Sequence, residues 1–174
     1  GLLNLDAVIT GVRAFDVHDW LSKKYEILME YIKNGGNLIV QYNRNRGTDT
    51  TGIGPYPFGI SNARVTEENA PVRFLLPAHQ ALHFPNEITD KDFLGWIQER
   101  GIYFAQHIDA RYQTLFSMHD KDEPDQTGSL ITGRYGKGSF TYTGLVFFRE
   151  LPAGVPGAYR LLANLIALNQ SGDK

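Results

Sequence analysis

Two apolar segments separated by one amphipathic segment constrain this chain more than any other feature. Residues 6–10 and residues 37–42 are short apolar runs of the kind that form strands buried on both faces. Between them, one apolar stripe at helical spacing is formed by Leu21, Tyr25, Leu28 and Ile32. The glycines of residues 34–36 provide a left-handed stop for that helix. The pattern predicts a right-handed βαβ unit with parallel strands.

Polar residues around this unit predict its boundaries. Asp16 is expected to cap the helix and Asp19 to favour its N-terminal end. An acid/base group of these two aspartates with His18 is the chemical alternative, and capping explains both carboxylates without it. Residues 43–58 are rich in Asn, Arg, Gly, Thr and Pro, which predicts a long loop after the second strand.

The rest of the chain predicts more strands than helices. A helix over 90–100 is expected to begin at a Thr89 cap, and a closing helix follows Pro156. Gly136-Lys137-Gly138 predicts a compact hairpin. Short strands are predicted at 60–65, 72–75, 102–108, 113–118, 129–135 and 139–145.

The composition excludes several classes of protein. The 174 residues are 42% hydrophobic, which is enough for a single core, so one domain over residues 1–174 is expected. A net charge of -2 gives no field that attracts nucleic acid. No apolar run approaches the roughly 20 residues that a membrane-spanning helix requires. The absence of cysteine removes disulfides, thiolate metal sites and a thiol nucleophile.

The strand, helix, Gly-Gly and strand pattern of residues 6–11 and 31–40 resembles the class I glutamine amidotransferase-like fold, including ThuA-like domains. That resemblance implies an α/β, flavodoxin-like three-layer sandwich. Its sheet would be largely parallel, with an antiparallel hairpin near the C-terminus. In such enzymes a Gly-x-Cys-x-Gly elbow ends the second strand. The matching position here is Gln41-Tyr42-Asn43, which supplies neither glycine nor thiol, so this route to glutamine hydrolysis is excluded.

Three further stretches, residues 53–58, 95–101 and 148–160, are similar to the C-terminal region of bacterial LmbE-like (PIG-L family) deacetylases. The metal-binding His/Asp motif of those deacetylases belongs to a separate domain and has no match here. The resemblance therefore implies an accessory domain in a longer chain, covalently linked to an upstream deacetylase domain. It also implies an extracytoplasmic, periplasmic setting.

A candidate ligand site follows from the ends of the predicted strands, because parallel sheets bind ligands beyond their carboxyl ends. Polar residues after strands, with aromatic rings to cover sugar C–H surfaces, suit a carbohydrate ligand. Tyr103 is a further aromatic candidate. The alternative is an internal Arg–Glu network that pins the loops. The candidate residues are Arg13, Asn43, Arg44, Tyr56, Trp96, Glu99, Arg100, Arg149 and Glu150.

Other constellations favour ordinary structure over chemistry. His79 and His83 have the spacing of metal ligands, yet Pro77 and Pro85 leave little room for a helix. Residues 52–57 resemble a nucleotide loop but precede no clear helix. No metal or cofactor is therefore expected.

Three functional hypotheses remain. The first is a non-catalytic accessory domain that binds a sugar or docks on a catalytic neighbour. The second is a hydrolase with a non-cysteine site such as Glu99, His107 and Asp109, with His119 nearby in sequence. The third is self-association through an apolar patch of Phe147, Phe148 and Leu151.

Overall fold

The computed structural model describes residues 1–44 and 52–170. Its α-helices are α1 (Ala14–Val17), α2 (Asp19–Ser22), α3 (Tyr25–Lys33), α4 (Phe147–Glu150) and α5 (Pro156–Ile166). Its strands are β1 (Ala7–Thr10), β2 (Asn37–Gln41), β3 (Gly59–Ile60), β4 (Arg64–Val65), β5 (Val72–Phe74), β6 (Gly101–Ile102), β7 (Ala105–Gln106), β8 (Tyr112–Thr114), β9 (Phe116–Met118), β10 (Leu130–Tyr135) and β11 (Gly138–Thr143). Short 3-10 helices cover Leu2–Asn4, Gln80–Leu82 and Asp90–Phe93.

The main sheet is mixed, so the expected flavodoxin-like, class I glutamine amidotransferase-like three-layer sandwich with a largely parallel sheet is wrong. The strand order is β1-β2-β11-β10-β8, in which β1, β2 and β11 pair in parallel and β10 pairs antiparallel with both β11 and β8. The reason lies in the connections. A parallel neighbour requires a crossover of a dozen residues or more, whereas β10 reaches β11 through a tight turn. The region between β2 and β8 supplies two-stranded ladders rather than crossover helices.

The predicted βαβ unit is confirmed at its strands and corrected at its helix. β1 and β2 are parallel, with Ala7 opposite Asn37. The helical segment is broken into α1, α2 and α3, and only α3 is long enough to carry the apolar stripe. Asp16 lies inside α1, and its Oδ2 accepts a hydrogen bond of 2.7 Å from the backbone N–H of Arg44, so it joins α1 to the segment after β2 and does not cap the long helix. Gly35, with φ of 114°, supplies the predicted left-handed stop.

Further corrections concern short elements. The predicted helix over 90–100 is only the 3-10 helix Asp90–Phe93, because Gly95 and Gln98 both take positive φ and end any helical path. Thr89 does cap it, since its side chain accepts from Lys91 N–H and its own N–H donates to Asp92. The predicted strands over 60–65 and 102–108 each divide into two short pieces. The hairpin at 136–138 is confirmed.

The two faces of the sheet belong to two apolar clusters, because successive side chains of a strand point to opposite sides. Ile39 packs with Leu115, Leu130, Leu161 and Leu165 on the α5 side. On the α3 side, Leu38 and Val40 pack with an aromatic group of Phe58, Phe140 and Tyr142. Within the described residues, no helix is long and apolar enough to cross a membrane.

Candidate functional site

The carboxyl ends of the three parallel strands, β1, β2 and β11, lie at the same end of the sheet. Open α/β sheets bind ligands beyond the carboxyl ends of their parallel strands. Residues 11–13 follow β1, residues 42–44 follow β2 and residues 144–149 follow β11. An isolated antiparallel β-bridge between Gly101 and Leu145 brings residues 98–103 to the same end of the sheet. Together, residues 11–13, 42–44, 98–103 and 144–149 form the strand-end site.

Tyr42 lies at the centre of the strand-end site. Its side chain is largely buried, and its ring lies 5.4 Å from that of Tyr103 and 5.6 Å, edge to face, from that of Phe148. Burial raises the pKa of the Tyr42 phenol, the charges of Arg149 and Arg13 oppose that rise, and the negative charge of Glu99 adds to it. Residues from three separate segments therefore act on one hydroxyl.

Arg149 is held by several contacts. Its Nε donates to Oε1 of Glu99 at 3.2 Å, and its Nη1 donates to Oε1 of Gln98. Its guanidinium lies 4.9 Å from the ring centre of Phe148, a cation–π arrangement. The side chain of Glu99 is 10% exposed and that of Arg149 is 35% exposed, so part of the cation is accessible to a ligand.

Strained backbone is concentrated at the strand-end site. Arg13, Gln98 and Tyr103 have φ of 59°, 65° and 55°, values that are uncommon for residues other than glycine. The N–H of Arg13 donates to the carbonyl of Tyr42 at 2.7 Å, which locks the first of these turns against the end of β2. Such strain, of order 1–3 kcal/mol per residue, tends to persist where side chains must be held for function.

An apolar groove lies beside Arg13 at the end of β1. It has a volume of about 360 Å³ and is lined by Thr10, Val12, Val17, Trp20 and residues adjacent to them. Trp20 is 56% exposed, and its ring centre lies 5.9 Å from that of His18. An exposed indole beside a groove is a platform for the apolar face of a ring-shaped ligand.

Two of the predicted ligand residues instead hold the loops of the strand-end site in place. Asn43 is fully buried, and its Oδ1 accepts from the N–H of Phe15 at 3.0 Å while its Nδ2 donates to the carbonyl of Gln41 at 3.2 Å. Arg44 is exposed and joins α1 through its backbone N–H to Asp16. The Asn43 side chain is enclosed and its amide is hydrogen-bonded to backbone, so in this structure it does not face a ligand.

Arg100, Glu150 and Trp96 form an interior network, so for them the alternative interpretation holds. Nε and Nη2 of Arg100 donate to the carbonyl of Ala70 at 3.1 and 2.8 Å, and Nη1 donates to the carbonyl of Phe93. Burial lowers the pKa of Arg100 to about 10, an effect that the charge of Glu150 opposes. Burial raises the pKa of Glu150, which is fully enclosed.

The remaining aromatic candidates lie elsewhere. Trp96 is 2% exposed and its indole N–H donates to the carbonyl of Asp92 at 2.9 Å, so it belongs to the core. The hydroxyl of Tyr56 donates to the carbonyl of Arg134 at 2.6 Å, and the ring lies 4.1 Å from the guanidinium of Arg111. Arg134 is near the end of β10, which is antiparallel to β11 and therefore ends where β11 begins. Tyr56 thus lies at the end of the sheet that is opposite the strand-end site.

The hydrolase constellation is not assembled. Asp109 is paired with Arg111 at 2.8 Å, and the hydrogen bonds from Arg111 lower the pKa of Asp109 to about 2. Glu99 is paired with Arg149. Among the described residues no hydrogen bond joins Glu99 or Asp109 to His107.

The metal and self-association interpretations also lack geometry. Within residues 1–44 and 52–170, no group of three His, Cys, Asp or Glu side chains is arranged to hold a metal. His83 contacts Glu87 at 2.7 Å, whereas His79 contacts Gln113 at 3.1 Å. Phe147 is 1% exposed, and Phe148 and Leu151 are only partly exposed, so the three predicted residues do not form one exposed apolar patch.

Arg13, Glu99 and Arg149 are therefore the predicted residues that the fold brings together, with Tyr103 as the predicted aromatic. Sequence reasoning missed Tyr42, which was considered only as the empty nucleophile position. It also missed Trp20 and Gln98. A signal for Trp20 was present, because an indole on the polar side of a helical segment is unusual.

Comparison with known proteins adds information about the fold alone. No protein-family model and no curated protein matches the chain. Two solved cytoplasmic proteins from Salmonella typhimurium are similar, with TM-scores of 0.54 and 0.53 and 13% identity, over 95% and 92% of this chain and 72% and 70% of those proteins. A β-galactosidase from Rahnella sp. R3 is similar with a TM-score of 0.52 and 14% identity, and this chain spans 23% of its length.

Proposed function

We propose that this chain is a non-catalytic accessory domain that binds a carbohydrate at the strand-end site. The observation that carries the proposal is the convergence of Arg13, Tyr42, Glu99 and Arg149 beside the Trp20 groove. A sugar offers hydroxyl groups that planar guanidinium and carboxylate groups can bind, and C–H faces that an indole can cover. Guanidinium, carboxylate and indole groups are all present at the strand-end site and its adjoining groove.

The absence of an assembled nucleophile supports binding over catalysis. The residues that follow β2 are Tyr42 and Asn43, and the Asn43 amide is occupied by the backbone of Phe15 and Gln41. A general base must reach the proton that it removes, and Glu99 instead faces the permanently charged Arg149. A charged pair of this kind can hold its members in position and bind polar groups of a ligand.

Two further considerations support a carbohydrate and an accessory role. One is the interpretation of residues 53–58, 95–101 and 148–160 as similar to the C-terminal region of LmbE-like deacetylases, which implies an accessory role and remains a prediction. In addition, a similar fold makes up about a quarter of a β-galactosidase, so a domain of this shape occurs within a larger enzyme whose name denotes a sugar substrate. This likeness concerns the fold, and the proposed ligand rests on the residues of the site.

The two tryptophans provide a direct test. Trp20 is 56% exposed and Trp96 is 2% exposed, so acrylamide quenching of the intrinsic fluorescence reports mainly on Trp20. Galactose, N-acetylglucosamine and N-acetylated oligosaccharides are titrated by calorimetry and by quenching. We expect a bound sugar to reduce quenching by at least half, and we expect Trp20→Phe, which retains Trp96, to lose that change.

Matched variants distinguish specific binding from loss of fold. Arg13→Ala and Arg149→Ala are expected to weaken sugar binding at least tenfold, whereas Leu3→Ala should leave it unchanged. Leu3 is 67% exposed and lies before β1, at the other end of that strand. If every sugar gives no heat and no protection of Trp20, or if the Arg variants bind as the natural protein does, the proposal is wrong.

Docking on a catalytic neighbour is the second candidate function, and exposed apolar residues along β1 favour it. Ile9 and Val17 are 39% and 62% exposed and adjoin the Trp20 groove, and β1 is an edge strand of the sheet. The test compares this chain with the full-length natural protein. Protection of Trp20 from acrylamide in the full-length protein, with no response to sugars in either chain, would support docking.

A further inference from the structure

A polar cavity lies far from the strand-end site, on the face of the sheet that α5 covers. It has a volume of about 210 Å³, far more than one water molecule requires. Its polar lining comes from Gln113 of β8, Thr132 and Arg134 of β10, Ser139 of β11, His79 and Gln80, whose amide N–H donates to the carbonyl of Leu168 at 2.7 Å. The register explains this lining. Thr132 is opposite Gln113, and Arg134 is opposite Ser139, so all four point to the same side of the sheet.

Polar residues at this position run against the usual pattern of a covered sheet. A face that packs under a helix is normally apolar, and the opposite face of β11 does carry Phe140 and Tyr142. Thr132 and Ser139 are 2% and 1% exposed. The Ser139 hydroxyl donates to Oδ1 of Asn37 at 3.0 Å, and Oγ1 of Thr132 lies 3.2 Å from Nε2 of His79. A cavity with this lining is therefore suited to a polar occupant.

The hydrogen-bonding capacity of the cavity consists mostly of donors. The N–H of Ala81 donates to Nδ1 of His79 at 3.1 Å, which assigns the proton of the neutral ring to Nε2. That Nε2–H lies 3.1 Å from Oε1 of Gln113 and 3.2 Å from Oγ1 of Thr132. The Gln113 amide N–H groups and the Thr132 hydroxyl proton thus remain available to an acceptor, and no described residue accepts from the Gln113 amide.

Arg134 supplies the fixed positive charge. Its Nη1 donates to Oδ1 of Asn169 at 3.0 Å and its Nη2 to the carbonyl of Lys137 at 2.9 Å, which orients the guanidinium and leaves three of its five N–H groups free. Among the lining residues, Arg134 and His79 are the ionisable side chains, and none is acidic. Neither β8 nor the end of α5 adds a charge, because they contribute Gln113 and Leu168.

We propose that this cavity binds a small carboxylate anion beside His79, and that the anion's oxygens accept hydrogen bonds from Arg134, Gln113 and Thr132. The volume limits the occupant to about the size of one sugar acid. Burial lowers the pKa of His79, and the hydrogen bond to Gln113 opposes that shift. A bound carboxylate would favour the charged imidazolium and move the His79 pKa upward. Binding should therefore strengthen as pH falls through the range in which His79 titrates.

A matched pair of ligands tests the proposal. Galacturonate and galactose share a ring and differ in the carboxylate, so NMR titration of the histidine ring signals compares them directly. We expect galacturonate to raise the His79 pKa and to bind at least tenfold more weakly to Arg134→Ala, with Lys137→Ala as the control for loss of a nearby charge. Arg149→Ala should not alter this binding, which separates the cavity from the strand-end site.

Three results would overturn the proposal. Equal effects of galactose and galacturonate on His79 would show that the carboxylate is not recognised. Equal weakening by Arg134→Ala and Lys137→Ala would show nonspecific charge attraction. A response to sodium sulfate that matches the response to galacturonate would show recognition of charge without carboxylate geometry.

Discussion

Nε of Arg149 donates a hydrogen bond of 3.2 Å to Oε1 of Glu99, and this contact joins the segment after β11 to the segment before β6. The Glu99 side chain is only 10% exposed. A carboxylate with so little access to water is destabilising when its partner is removed. The strand-end site is therefore coupled to the stability of the fold, and variants of the site require a stability measurement beside the binding measurement.

We predict that Arg149→Ala lowers the free energy of unfolding by about 1–2 kcal/mol, because it leaves Glu99 without its cation. The loss stays below that of a fully buried pair, since Arg149 is 35% exposed and solvent screens its charge. Urea denaturation measures the change. In a double-mutant cycle with Glu99→Gln, the double variant should lose less than the sum of the two single losses.

The same variant should raise the pKa of Tyr42 further. Burial already raises that pKa, and the positive charge of Arg149 is the strongest influence that opposes the rise. NMR of the tyrosine ring carbons reports the titration residue by residue. An unchanged Tyr42 pKa in Arg149→Ala would show that the guanidinium does not act on this hydroxyl.

Two threonines on one face of β11 give a third prediction. The hydroxyl of Thr141 is buried with no hydrogen-bond partner among the described residues, so Thr141→Val should raise the free energy of unfolding by about 1–2 kcal/mol. Thr143 is equally buried, but its hydroxyl donates to Ser129 at 3.0 Å and accepts from Leu145 N–H at 3.1 Å. Thr143→Val should lower the free energy of unfolding by about 1–3 kcal/mol. Thermal or urea unfolding of both variants measures the two changes. Changes of the same sign in the free energy of unfolding would contradict the prediction.

The strands of the sheet were predictable from sequence, but their arrangement was not. Apolar runs and a Gly-Lys-Gly turn locate β1, β2, β10 and β11, because strand patterning and turn chemistry are local. The direction of β8 relative to β2 depends on how the region between them folds, and the direction of β10 relative to β8 depends on residues 115–129. Both regions contribute to short two-stranded ladders between distant residues, such as Val72 with Met118.

The candidate site was predictable only in part for a similar reason. The end of a strand can be predicted from sequence, and Arg13 and Arg149 lie at the same end of the sheet, as predicted. Burial depends on long-range packing, which explains why Asn43, Arg100 and Glu150 are enclosed although they follow or precede short elements. The positive φ of Gln98 and Tyr103 has no sequence signal, because neither residue is glycine.

Two histidines are predicted to give pH dependences of opposite sign. Burial lowers the pKa of His79 below the unfolded value of 6.5, so its contribution to stability is present above that value and is lost as the pH falls through the folded pKa. The hydrogen bond to Glu87 raises the pKa of His83, so its contribution is present below 6.5 and is lost as the pH rises through the folded pKa.

Urea denaturation at about pH 5 and pH 7.5 tests both signs. Relative to the natural protein, His79→Asn should gain stability at the lower pH, and Asn retains the side-chain acceptor that caps the 3-10 helix Gln80–Leu82. His83→Gln should lose stability at the lower pH. If a histidine variant differs from the natural protein by the same free energy of unfolding at both pH values, that histidine does not contribute to the pH dependence of stability.

The close approach of α5 to the Asp92 backbone gives the last prediction. Gly157 lies in the first turn of α5, where helix propensity alone would favour alanine by about 1 kcal/mol. A Cβ at this position, however, would lie 1.7 Å from the carbonyl oxygen of Asp92, and backbone cannot move aside cheaply. We therefore expect Gly157→Ala to lower the free energy of unfolding by at least about 2 kcal/mol.

Gly11→Ala is the control, because no atom lies within 4 Å of a Cβ built at that position. Its effect on the free energy of unfolding should stay within about 1 kcal/mol, in the stabilising direction if the unfolded chain loses entropy. Equal stability of Gly157→Ala and the natural protein would mean that α5 can shift away from Asp92. In that case the ion pair of 2.8 Å between Arg160 and Asp92, which spans the same contact, would have to lengthen.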